Sequence, residues 1–104
     1  MFVRLSGPGG QAELVEPSDC KRFHVEYGVA GADPADVAAA LGAWADGAVD
    51  GHVWIRVEAV RSAAVGRVGS DWEADFDGML AFARTKGWLN DAGDAIAAHV
   101  APPG

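Results

Sequence analysis

From Phe23 to Val29 the chain alternates, with Phe23, Val25, Tyr27 and Val29 on one side and His24 and Glu26 on the other. A period of two predicts a half-buried strand over 23–29. The same pattern predicts strands at 2–5 (FVRL) and 52–57 (HVWIRV). QAELVE (11–16) follows the turn-rich SGPGG (6–10) and reads as a return strand, which makes the first two strands a hairpin. AIAAHV (95–100) is rich in alanine, but it is short, follows turn chemistry and alternates Ile96, Ala98, Val100. A closing strand is preferred there to a short helix. The PPG end, 102–104, reads as a frayed tail.

Three other stretches change the period to that of a helix. Asp33 is a natural N-cap, Pro34 suits the first helical position, and Val37, Leu41, Trp44 and Ala48 make a stripe. That predicts a first helix ending near Gly47, at the latest Gly51. Residues 58–65 (EAVRSAAV) predict a short second helix. The strongest signals lie between Ser70 and Trp88. Ser70 and Glu73 have the spacing of a capping box, and acids crowd the start while Arg84 and Lys86 lie near the end. Trp72, Phe76, Met79, Leu80 and Ala83 share one side, and Gly87 offers a left-handed C′ position.

The resulting order is β-β-β-α-β-α-α-β, in one α+β domain spanning residues 1–104. Helices with a single apolar stripe need a sheet to cover, so the expected architecture is a two-layer sandwich. It has a mixed sheet of about four to five strands with helices on one face. A crossover through the first helix would make strands 23–29 and 52–57 parallel.

Composition narrows the function classes. Half the residues are apolar and 22% charged, a globular balance. No apolar run reaches the ~20 residues of a membrane span, and the N-terminal MFVRLSGPGG lacks a signal peptide's long apolar stretch. The lone Cys20 excludes an internal disulfide or a cysteine-rich metal site. A cytoplasmic protein is therefore expected. Residues 1–22 balance three acids with three bases, so the net charge of −7 belongs to the remainder. Such a field repels phosphate, so neither nucleic acid nor an anionic membrane is expected as a partner. Gly66-Arg67-Val68-Gly69, between two helices, resembles the GxxG loop of KH domains in four residues. Arg67 is its only cation, and Asp71, Glu73, Asp75 and Asp77 follow.

Candidate chemistry comes from strand parity. If Val3, Leu5, Phe23, Val25, Tyr27, Val29, Val53, Ile55, Val57, Ile96, Ala98 and Val100 face the helices, the opposite face receives Phe2, Arg4, His24, Glu26, His52, Trp54, Arg56 and, with 95–100 as a strand, His99. All three histidines of the chain then share one face. Aromatic residues turned away from a core mark an interaction surface. The first functional expectation is a small binding or interaction module, homodimeric, using this face as dimer seam or as the floor for a small-molecule ligand. The alternative is a small histidine-dependent enzyme, an isomerase, lyase or hydrolase. There His24 or His52 would move a proton, Glu26 orient it and Arg56 stabilise an anion. Cys20, beside Lys21 and Arg22 and four residues from His24, reads as a free thiol rather than a nucleophile. The acidic residues between Asp71 and Asp94 match no calcium loop. No cofactor and no metal site is expected.

Overall fold

The computed structural model describes residues 1–7 and 9–102. Pro8 of the expected Gly-rich turn and the last two residues of the expected tail lie outside them. Among the described residues six strands and three α-helices follow in the order β1 (Phe2–Leu5), β2 (Glu13–Val15), β3 (His24–Tyr27), α1 (Pro34–Leu41), β4 (Ala45–Val49), β5 (His52–Arg56), α2 (Val57–Ala64), α3 (Trp72–Thr85) and β6 (Ala95–Ala101). They form one mixed sheet ordered β2-β1-β3-β6-β5-β4. The fold is α+β with helices packed on the sheet, and the sheet has six strands rather than four to five.

The additional strand arises where the alanine-rich stripe was expected to remain helical. Asp33 caps α1 by accepting a hydrogen bond from Ala35 N at 3.0 Å, and Pro34 takes the first helical position. Gly42 ends the helix at φ 59°, a conformation with little steric cost only for glycine. After one 3₁₀ turn (Gly42–Trp44) the chain enters β4 and pairs antiparallel with β5, Val49 opposite His52. The two residues between them, Asp50 and Gly51, have φ of 47° and 80°. Both values being positive marks the type I′ turn that Asp-Gly favours.

That hairpin also reverses the expected direction of β5. β3 runs parallel to β6, and β6 runs antiparallel to β5, so β3 and β5 are antiparallel and separated by β6. The parallel pairing expected for 23–29 and 52–57 does not form. β3 also stops at Tyr27, which leaves Val29 exposed instead of core-facing.

α3 ends as its sequence predicts. Gly87 N–H donates to Arg84 O, Trp88 N–H donates to Ala83 O at 2.9 Å, and Gly87 sits at φ 77°, a Schellman ending. Its start differs from the capping-box expectation. The helix begins at Trp72 after an Asp71 N-cap that makes no side-chain capping bond. Glu73 instead pairs with Arg61 of α2, whose second guanidinium nitrogen reaches Asp77 Oδ1 at 2.6 Å. A tertiary ion pair has taken the side chain that the box required. Asp33→Ala should therefore cost about 1 kcal/mol, whereas Ser70→Ala should stay within about 0.5 kcal/mol of the parent. Paired urea melts check this; a larger loss at Ser70 than at Asp33 would contradict the observed caps.

The helices seal one side of the sheet. Val3, Leu5, Val25, Tyr27, Val53, Ile55, Ile96 and Ala98 are buried with Val37 and Leu41 of α1, Val60 of α2, and Trp72, Phe76 and Leu80 of α3. Arg67, the cation of the GRVG loop, donates to Leu14 O at 2.9 Å and so anchors that loop to β2. Among the described residues no helix is long and apolar enough to cross a membrane.

Candidate functional site

Burial of Val3, Val25, Val53, Ile55 and Ala98 fixes the parity of their strands, so their neighbours in sequence emerge on the other side. Register then sets which of those neighbours meet. Phe2 pairs with His24, the Val25–Val100 pairing places His24 beside His99, and His99 pairs with His52. Four rings thus form one row across β1, β3, β6 and β5. Phe2 stacks on His24 with centroids 4.8 Å apart, and His24 stacks on His99 at 5.5 Å with 26° between the planes. His52 Nδ1 lies 3.0 Å from Asp50 O, so this nitrogen carries the proton it donates and Nε2 keeps its lone pair.

On one side of this row, Arg4 lies between two acids. Its Nε donates to Glu26 Oε1 at 3.0 Å, its Nη1 is 3.8 Å from Glu13 Oε1, and its guanidinium lies over the Phe2 ring. On the other side, Trp54 pairs with Ala97 and Arg56 with Ala95. Arg56 Nη2 approaches Asp46 Oδ1 of β4 at 3.4 Å. The structure therefore brings Arg4, His24, Glu26, His52, Trp54, Arg56 and His99 onto one uncovered face. Glu26 faces Arg4 rather than a histidine, so the orienting pair that the enzyme alternative required is not assembled.

The expectation omitted Trp88. The segment after α3 runs beside β6, where Ala97 N–H donates to Trp88 O at 2.7 Å. The Trp88 ring, half exposed and edge-on to Phe82, lines a depression with Phe23, His52, Ala97 and His99. A tryptophan after a helix-ending glycine carries no periodic signal that could place it there. The depression encloses about 140 Å³. A larger cleft of about 610 Å³ lies elsewhere, between the 17–22 connector and α3, lined by Cys20, Lys21, Asp75, Gly78, Met79 and Phe82. Burial, followed by the Asp75 carboxylate, pushes the Cys20 thiol above its ordinary pKa, the opposite of activation. Among the described residues no three His, Cys, Asp or Glu side chains converge on one point as placed.

His24 has an altered titration. Burial pushes its pKa below the ordinary histidine value, with the positive charge of a protonated His99 adding to the shift and Glu26 opposing it. A histidine with a lowered folded-state pKa binds fewer protons in the native state than in the unfolded state. Its contribution is neutral above the ordinary value of about 6.5 and becomes destabilising as pH falls from there through the folded pKa. An NMR titration should place the His24 midpoint below 6.5, and His99→Gln should raise it by removing the adjacent charge. A midpoint at or above the ordinary value would contradict the burial of this ring.

Comparison with protein-family models, with curated proteins and with solved structures finds no match to this chain.

Proposed function

We propose that this chain is a cytoplasmic interaction module that pairs with a second copy of itself through the open sheet face. The observation that carries this reading is the row Phe2–His24–His99–His52, with Trp54 beside it, on a face that no helix among the described residues covers. Ring-bearing residues concentrated on an uncovered sheet supply contact area with few rotatable bonds to order.

Charge favours a second copy as the occupant. The ion-paired groups on this face are three acids, Glu13, Glu26 and Asp46, and two bases, Arg4 and Arg56. These paired groups carry a net charge of only −1, so they oppose the approach of a second copy little. A two-fold contact uses the same patch twice, which a nearly balanced patch permits without repulsion. The size of the depression argues against a small-molecule floor, since 140 Å³ falls short of the roughly 300 Å³ at which ligand pockets begin. The acidity and the engaged Arg67 support leaving nucleic acid out of the list of partners, and the single cysteine supports the cytoplasm as the compartment.

Light scattering at micromolar concentration should give about twice the 10.7 kDa monomer mass. A monomeric mass persisting at millimolar concentration would contradict the proposal.

A further inference from the structure

We infer that the cleft between the 17–22 connector and α3 binds a small zwitterion with an apolar side chain, of the class of a free aromatic or aliphatic amino acid. Its volume, about 610 Å³, falls within the roughly 300–1,000 Å³ of small-molecule sites, which the 140 Å³ depression beside His52 does not reach. The cleft shares no residue with the Phe2–His24–His99–His52 row or with Trp54, and α3 packs on the other side of the sheet. The inference therefore stands apart from the proposed dimer seam.

Met79 and Phe82 supply an apolar wall. Phe82 is 55% exposed, whereas α3 turns its other large apolar side chains, Trp72, Phe76 and Leu80, into the core. Gly78, one turn before Phe82, opens the space in front of them. It lies midway along the 14-residue helix, where glycine is the least favourable residue after proline. No packing contact demands it, since a Cβ built there would meet nothing within 4 Å outside its own turn of helix. A glycine that weakens a helix without serving a turn or an internal contact leaves the backbone bare for a ligand's approach.

Charge selects the class of ligand. The charged residues lining the cleft are Asp19 and Lys21 on the connector and Asp75 on α3. Asp19 is already engaged: its carboxylate accepts from Lys21 N–H at 3.0 Å and lies 3.6 Å from Arg22 Nε and 3.8 Å from the amino group of Met1. Among the described residues neither the Lys21 ammonium nor the Asp75 carboxylate forms an ion pair, with each other or with a third group. Opposite charges thus line two walls of one apolar cleft without neutralising one another. A zwitterion satisfies both, its carboxylate at Lys21 and its ammonium at Asp75, with its side chain along Met79 and Phe82. A simple anion would meet Asp75 and a simple cation Lys21, each a like charge that opposes it.

The test titrates the full chain with L-phenylalanine, N-acetyl-L-phenylalanine, phenethylamine and glycine, read by NMR shifts at Gly78, Met79 and Phe82. Phenylalanine should bind saturably, and glycine, which lacks the apolar body, should not. Removing either charge of the ligand should weaken binding about two- to fivefold, the strength of an exposed ion pair. Lys21→Met should cause the same loss for phenylalanine and leave phenethylamine, which has no carboxylate, bound no more weakly. Asp75→Asn should do likewise, with N-acetyl-L-phenylalanine as the unaffected ligand. Gly78→Leu should abolish binding while raising the thermal midpoint, because leucine favours the helix and fills the cleft. Absence of saturable phenylalanine binding, equal binding of the three phenyl compounds, or undiminished binding in a folded Gly78→Leu variant would overturn the inference. Mass measured in the same samples separates this result from the seam: a monomer that binds phenylalanine refutes only the dimer, and a dimer that binds none refutes only the site.

Discussion

Phe76→Ala is expected to lower folding stability by about 3–5 kcal/mol, a large part of the 5–15 kcal/mol typical of a domain. Phe76 has no exposed surface, and its ring stacks on Trp72 at 4.7 Å with 10° between planes. The Arg61 guanidinium lies over the same ring at 4.8 Å while it holds Glu73 and Asp77. Truncation would thus open a cavity at the centre of the helix–sheet contact and remove the ring on which the α2–α3 ion pairs rest. Phe76→Leu keeps most of the volume and should cost less than half as much. Urea denaturation of both variants checks the prediction. A loss under about 1 kcal/mol for Phe76→Ala would show that α3 is not the element against which the sheet packs.

Trp54→Ala should give a folded monomer. Trp54 is half-buried, lies on the open face opposite Ala97 and takes no part in the helix-covered core, so removing it should leave the thermal midpoint of the isolated chain almost unchanged. At a two-fold seam each substitution acts twice. A central tryptophan is worth about 2 kcal/mol, so the pair should weaken association by roughly 4 kcal/mol, or about 1000-fold. Ala97→Arg, which places a charge beside Trp54 on the neighbouring strand, should have the same effect without removing an aromatic ring. Sedimentation of the parent and both variants reads the outcome. Unchanged mass in both variants would place any seam elsewhere, with the exposed Phe82 and Trp88 as the next surface to test.

Some of this architecture could be read directly from residue patterns. Strand parity was clear wherever β-branched residues alternate with polar ones, because a shift of one position would bury His24 or Arg56 and expose Val25 or Ile55. The strand residues of the open face were therefore legible in advance, whereas Trp88 and the place of Phe23 beside His52 and His99 were not. Strand order was not, because alternation says which side a residue faces and nothing about which strand lies next to it. The adjacency of His99 to both His24 and His52 depends on β6 entering between β3 and β5, a long-range choice with no local signature. β4 was missed for a different reason. Alanines from 38 to 48 continue a helical stripe, and they obscured a short edge strand whose signal was the Asp50-Gly51 pair. At Ser70 a valid local motif lost Glu73 to Arg61, a partner twelve residues away in sequence.

The most direct test of the central claim, that the face bearing Trp54 is where two copies meet, is an isotope-filtered NOE experiment on an equal mixture of labelled and unlabelled chains. Cross-peaks between copies should connect the rings of Phe2, His99 and Trp54 on one chain with the same set on the other. Cross-peaks arising instead from α3, or none from a sample of monomeric mass, would contradict it.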